Sequence, residues 1–379
     1  MGQFKDKRYI SDEDRATLIA WGRSNAPMGD PADAPSKEKL SAGLVTAEPV
    51  EAADGSMWWM GVPDLMVEFD EPVTICDALE DWQPTVELTV PDGALTEPKW
   101  IRGMEIQAGS SIVHHTVSSH LGVGTPGRGP FVFPKGWGIL LTEDPYITIN
   151  MHYHKNPGPG TGLVDDTKGG FLIYEDGNVI DYIVETDIQA LWDFEIPPNE
   201  SNWEVTNQTH FDEDIYLLSV GPHAHYRGKA VRIELKRPDR RFRETILDVP
   251  DYDFNWQFQY ELDEPYLIPA GSTMHITWWY DNSSANRYNP DPNATVTFGA
   301  ATTDEMMNAR IYFARAKPAG VVVGKEPPAD LLERARASEQ RARERDRARG
   351  LLAHAEALGA LEGEGLYVRG RLASSPEVT

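Results

Sequence analysis

Ile215-Tyr216-Leu217-Leu218-Ser219-Val220-Gly221-Pro222-His223-Ala224-His225 is an apolar run that ends on two histidines one residue apart. Its first six residues read as a strand. Residues i and i+2 of a strand point to the same face, so both imidazoles are offered to one point without distorting the backbone. A second run of the same texture, Tyr146 to His154, carries His152 and His154 on a common face with Asn150. Outward from these two, short β-rich stretches such as Leu65 to Phe69, Val231 to Leu235 and Thr273 to Tyr280 alternate with Pro, Gly, Asn and Asp turns. The pattern runs from residue 57 to residue 316 and is that of an all-β protein built of sandwiches. Roughly 260 residues is more than one sandwich usually takes. Two jelly-roll-like sandwiches are therefore expected, over 57–196 and 197–318, divided at Ile196-Pro197-Pro198-Asn199-Glu200. In a strand, one member of each pair Trp58-Trp59 and Trp278-Trp279 faces out.

The flanks read differently. Within 1–56, residues 11–25 form a short helix with Ser11 as N-cap, acids at 12–14 and an apolar side of Leu18, Ile19 and Trp21; residues 29–56 are a Pro/Ala-rich linker. Residues 319–379 are a charged helical tail whose helix begins near Leu331; its thin apolar stripe suits a solvated helix, or else an oligomerisation or partner helix. A net charge of -25 argues against nucleic acid or an anionic membrane as partner. No apolar run is long enough to span a bilayer. The single cysteine, Cys76, excludes an intramolecular disulfide framework. Met1-Gly2-Gln3-Phe4-Lys5 lacks the apolar stretch of a signal peptide, and localisation stays open.

Chemistry concentrates in the histidines. Of ten, five fall in three clusters, His114-His115, then His152 with His154 close by, then His223-Ala224-His225; Met306 follows in Asp304-Glu305-Met306-Met307. Imidazole is the commonest metal ligand, and a thioether beside imidazoles points to copper rather than zinc or iron. Adjacent residues of a regular strand face opposite ways, so His114 and His115 converge only if the backbone turns there. Either His152 or His154 can complete a site with them, and spacing does not choose. His120, His210, His275 and His354 are isolated and read as surface or hydrogen-bonded histidines; Met151 and Met274 read as core. Met306 differs from a core methionine only in its setting.

His114-His115, Met151-His152-Tyr153, His223-Ala224-His225-Tyr226-Arg227-Gly228-Lys229 and Thr303-Asp304-Glu305-Met306 occur in the order found in the copper type II, ascorbate-dependent monooxygenases, the family of peptidylglycine α-hydroxylating monooxygenase and dopamine β-monooxygenase. The chain resembles that family over about residues 60–316. Tyr252-Asp253-Phe254-Asn255-Trp256-Gln257 and Asp281-Asn282-Ser283 resemble its bacterial members. The resemblance implies two coppers per chain. His114, His115 and His152 would hold the electron-supplying one. His223, His225 and Met306 would hold the catalytic one, where oxygen binds. It also implies two sandwiches facing each other across an open cleft, hydroxylation of a C–H bond of a small organic or peptide-like substrate with O2, and ascorbate or a redox protein as donor. His154 has no place in the family pattern. Two positions depart from it. Gly221 stands where peptide-hydroxylating members carry a substrate-binding arginine, and Arg310 replaces their tyrosine, while Asn308 keeps their asparagine. Asn308 and Arg310 are the expected substrate-binding residues, and the departures argue against a peptidylglycine substrate. Two other classes of function compete. One is a copper-binding protein for storage, delivery or sensing without turnover. The other is a zinc or iron β-sandwich enzyme, which would need an acid among the ligands near His223 and His225.

Overall fold

The structure is a computed structural model. It describes residues 4–5, 10–34, 49–118, 120–124, 129–299 and 302–357, with the backbone alone at 345 and 348–357. The chain is all-β between two helices. A nine-stranded sheet forms its spine. In spatial order the main strands are Tyr260–Ile268, Ile215–His223, Asn308–Arg315, Tyr182–Ala190, Trp137–Leu141, Lys99–Gln107, Lys168–Ile173 and Leu65–Glu68, and Phe131–Val132 flanks the Lys99–Gln107 strand. A four-stranded sheet of Trp203–Phe211, Ser272–Tyr280, Gly228–Lys236 and Glu244–Val249 covers one half of it. A five-stranded sheet built on Thr148–His154 and Val113–Ser118 covers the other.

The strands form where the sequence alternates. Ser272–Tyr280 buries its length in the centre of the four-stranded sheet, while Trp203–Phe211 at that sheet's edge exposes every second residue. Two cores result. One gathers Val220, Ile233, Ile276, Trp278 and Ala309 between the spine and the four-stranded sheet. The other gathers Val67, Ile101, Ile149, Tyr153 and Phe171 between the spine and the five-stranded sheet. Each fully buried aliphatic or aromatic side chain contributes about 1.5–3 kcal/mol relative to exposure. Trp58 and Trp278 are fully buried while Trp59 and Trp279 are partly exposed, the one-in, one-out pattern expected of a strand.

The two halves are joined more intimately than two separate sandwiches would be. The strand Tyr182–Ala190 pairs in parallel with Trp137–Leu141 on one side and antiparallel with Asn308–Arg315 on the other, so one sheet crosses from half to half. Leu218, Tyr312 and Ala314, all on second-half strands, pack into the first core. At the Pro-rich break, Asn199 adopts a left-handed φ of 60°, and its N–H donates to the Pro292 carbonyl at 2.8 Å.

The helix Asp12–Arg23 starts as expected, with the Ser11 hydroxyl accepting from the Asp14 N–H, yet it buries no residue and leaves Leu18, Ile19 and Trp21 exposed. The helix Ala329–Ala357 is not simply solvated. Leu331 and Leu332 pack with Trp100, Leu140, Tyr174 and Ile180. The Thr142 hydroxyl donates to the nearly buried Glu339 at 2.6 Å, and Arg343 pairs with Asp144 at 3.0 Å. Two leucines and a line of ion pairs dock a helix whose periodicity alone suggests no docked face. Among the described residues no helix is long and apolar enough to cross a membrane.

Candidate metal centre

His115 and His152 lie directly opposite on neighbouring strands. The ladder then slips: Tyr153 pairs with Val113, and His114 is left without a partner. This β-bulge turns His114 toward the face its neighbour already occupies, which is how two adjacent histidines converge. His114 Nδ1 and His115 Nδ1 are 3.0 Å apart, and His152 Nδ1 lies 3.3 Å from His115 Nδ1. Ligand nitrogens of the three fall within 4.8 Å of one another. His152 Nε2–H donates to the Asp81 carboxylate at 2.8 Å and His114 Nε2–H to the Asn255 amide oxygen at 3.2 Å. Those bonds commit the outer nitrogens and leave the Nδ1 lone pairs inward, the usual way a protein orients metal-binding imidazoles. Burial, reinforced by the neighbouring imidazoles, holds His115 well below its ordinary pKa and lowers His114 too, so both stay in the neutral, ligating form. His154 is not in the cluster. Its ring is 46% exposed, 3.5 Å from Asp81.

The second set is built on a strand end and a loop. His223 closes the strand Ile215–His223, opposite Asn308. Its Nδ1–H donates to the Gln257 amide oxygen at 2.6 Å. His225 Nδ1 faces the Asp304 carbonyl at 3.3 Å, and the two rings stand 5.2 Å apart. Here the nitrogen that meets a protein acceptor is Nδ1, where in the first set it is Nε2. Met306 is brought in by Glu305, whose buried carboxylate accepts from the N–H groups of His225 at 2.8 Å, Arg227 at 2.7 Å and Met306 at 3.0 Å. The Tyr280 hydroxyl donates to the Met306 carbonyl at 2.8 Å, and the Asn308 amide contacts Met306 Sδ at 3.9 Å. Arg227 donates from Nε to Asn282 and from Nη1 to the Thr303 carbonyl, both at 2.8 Å, tying the loop to the His-Ala-His segment. Burial drives His223 down to about 4 and Glu305 up to about 7. With both Glu305 oxygens taken by backbone donors, the acid nearest these histidines is not disposed as a ligand, against the two-histidine, one-carboxylate reading.

Arg310 is 6% exposed, directly opposite Gly221, and forms no ion pair among the described residues. By strand alternation it shares the face of His223 and Asn308. The room an arginine would need at 221 is filled by Gln259, whose Oε1 would lie 2.2 Å from a Cβ there. That oxygen is buried without a hydrogen-bond partner among the described residues.

The two sets face each other, but not across an open cleft. The rings of His115 and His223 are 6.3 Å apart, and Phe254 lies against both sets. The open-cleft expectation is thus corrected: the spanning sheet draws the halves together and the segment 252–257 fills the space between them. All six expected ligands lie here. Residues that the histidine pattern does not reveal are Asp81, Asn255, Gln257 and Glu305. Asn255 and Gln257 belong to the Tyr252–Gln257 motif and Glu305 to the Met306 motif. Asp81 has no signal in the sequence.

Comparison with known proteins gives one specific match. Residues 183–328 match the family model of the copper type II ascorbate-dependent monooxygenase, C-terminal domain. The matched stretch contains His223, His225, Met306 and Arg310, whereas His114, His115 and His152 precede it. No curated protein matches the chain. Among solved structures it is similar to the VP2 subviral particle of infectious bursal disease virus, at 9% identity and a TM-score of 0.19, covering 86% of this chain and 96% of that one. It is also similar to a Paenibacillus xanthan lyase, at 13% identity and a TM-score of 0.19, covering 76% of this chain and 27% of that one. Likenesses at such TM-scores carry no argument here.

Proposed function

We propose that the chain, whose residues 183–328 match the copper type II ascorbate-dependent monooxygenase C-terminal domain, is a two-copper monooxygenase that hydroxylates a C–H bond of a small substrate bearing an anionic group. The observation that carries the reading is the orientation of the imidazoles. His114 and His152 each turn Nε2 to a protein acceptor and Nδ1 toward their own cluster, while His223 and His225 each give Nδ1 to a protein acceptor. His114, His115 and His152 hold one copper, an all-imidazole site. His223, His225 and Met306 hold the other, where the soft thioether favours Cu(I). When bound, each copper would supply one-electron Cu(II)/Cu(I) chemistry. The overall reaction takes R–H, O2, two electrons and two protons to R–OH and water. Ascorbate or a redox protein supplies the electrons.

The chain's own groups do the rest. Glu305 keeps the His-Ala-His segment and Met306 in fixed relation through three backbone hydrogen bonds. Arg310, a nearly buried guanidinium with no ion pair among the described residues, supports recognition of a substrate carboxylate or similar anion, with Asn308 on the same face. Gln259 Oε1, without a hydrogen-bond partner among the described residues, is a further acceptor for a donor on that substrate.

The test begins with copper per chain after loading and desalting. Two coppers in the parent, with Met306→Ala altered at only one of them, support the reading; one or none overturns it. Oxygen uptake with ascorbate is then followed over a panel of small carboxylates and their amides. Turnover of the acids, with Arg310→Met raising KM roughly 10- to 100-fold as the loss of a charged hydrogen bond requires, supports the anionic substrate. Uptake independent of every substrate leaves a copper-binding protein without turnover.

A further inference from the structure

One six-residue run, Tyr252 to Gln257, touches both histidine sets. Its base is rigid. The Tyr252 N–H donates to the Lys229 carbonyl at 2.8 Å, and its hydroxyl donates to the Ala224 carbonyl at 3.0 Å while accepting from the Ala224 N–H at 3.3 Å. The Tyr252 ring stands edge-on to Trp278 at 4.8 Å. From that base Asp253 Oδ1 accepts from the Asn255 N–H at 2.8 Å and from Asn255 Nδ2 at 3.0 Å. With its NH2 group so engaged, Asn255 presents its oxygen to His114 Nε2 at 3.2 Å. The same logic fixes Gln257: its NH2 donates to the Phe254 carbonyl at 3.0 Å, and its oxygen is left for His223 Nδ1 at 2.6 Å. Between these amides sits the Phe254 ring, 8% exposed, stacked on His114 at 5.6 Å and 22°. It also meets His152 at 6.0 Å, His115 at 6.4 Å and His225 at 6.2 Å.

We propose that this run is a latch and that Asn255 and Phe254 are positioning residues for inter-site electron transfer. Asn255, carried by the second half of the chain, sets the tautomer of a ligand in the first half. Phe254 excludes water between the sets, and together they hold His115 beside His223, ring centroids 6.3 Å apart, so that an electron crosses from site to site through neighbouring imidazoles. The inference rests on the two-copper reading above. It adds that the two sites work closed, and it names what closes them. Asn255 is itself exposed, so truncating it removes the bond to His114 without opening a core.

The test uses the full chain loaded with Cu(II), in the parent, Asn255→Ala and Phe254→Leu. The latter keeps apolar bulk and removes the ring. Electron paramagnetic resonance reports the dipolar broadening of each copper by the other, and rapid-freeze single turnover reports the rate at which the second electron arrives. Expected is clear mutual broadening in the parent. Both variants should retain two coppers, with reduced broadening, an altered signal from the His114 set and second-electron delivery slowed at least 10-fold. Two coppers without mutual broadening in the parent overturn the latch and leave the monooxygenase reading standing. Broadening and rate unchanged in both variants overturn the roles of Asn255 and Phe254. Fewer than two coppers in the parent overturn both inferences.

Discussion

The two histidine sets use the same side chain in opposite ways. In the first, three imidazoles turn Nδ1 inward from the middle of an antiparallel strand pair, and a bulge supplies the third. In the second, two imidazoles at and just beyond a strand end give Nδ1 to protein acceptors instead, and the Met306 N–H is held on one buried carboxyl group. The first set reaches toward solvent through Asp81, 32% exposed, whereas in the second His225 and Glu305 are buried and His223 is half-buried. The difference teaches how one fold builds two histidine sets by different means: ladder geometry sets the first, and a loop clamped on one buried carboxyl group sets the second.

Removing the clamp is the most severe way to break the comparison. Glu305→Ala orphans two buried N–H donors, at about 1–3 kcal/mol each, and one part-buried donor that costs less. An expected loss of about 3–6 kcal/mol, read by urea denaturation of the apo-protein, should be accompanied by loss of the Met306 copper while the His114 copper stays. Equal loss of both coppers would show that the clamp does not belong to one site.

Protons probe the same asymmetry. His223 titrates near 4 when folded and near 6.5 when unfolded, so between those values the unfolded chain binds a proton that the folded chain refuses. Stability from His223 is therefore present above about pH 6.5 and is lost as pH falls toward 4, by about 3 kcal/mol at about 1.4 kcal/mol per pH unit. Glu305, pushed up to about 7 from 4.5, runs the other way, its contribution being lost as pH rises through that window. In the apo-parent the two oppose each other. His223→Asn should make stability rise on acidification relative to the parent, and Glu305→Gln should make it fall more steeply. Urea midpoints at pH 4.5, 5.5 and 6.5 check both signs.

At the first set, Asp81→Asn replaces the acceptor that orients His152. Outer partners of this kind are worth roughly 10- to 100-fold in metal affinity. Competition with a copper chelator should show a loss of that size at the His114 set and none at the Met306 set. The smallest effect is expected at His154. As an exposed neighbour of Asp81 outside the cluster, its change to Ala should leave two coppers bound and alter stability by less than about 0.5 kcal/mol. A missing copper in that variant would move His154 into the ligand set.

The all-β class, the two flanking helices and the ligand types were legible because alternation, capping and residue chemistry are local properties. The choice of His152 over His154 was not. Both lie on one face of one strand, and only the cross-strand register, His152 opposite His115, separates them. The docking of the last helix was equally hidden, because Leu331 and Leu332 make a stripe only against Trp100 and Tyr174 from distant strands. Gln257 and Asn255 read as polar loop residues until the Asp253 turn and the Phe254 carbonyl commit their amide nitrogens.

By itself, then, the order of residues determined which groups are present to bind a metal, and in what sequence of strands and turns. Tertiary structure decided which of them meet. A bulge at His114, a sheet continuous across Tyr182–Ala190 and a six-residue run wedged between the sets bring the rings of His115 and His223 to 6.3 Å of each other. Such convergence depends on pairings between residues far apart in the chain, whose register no local periodicity encodes.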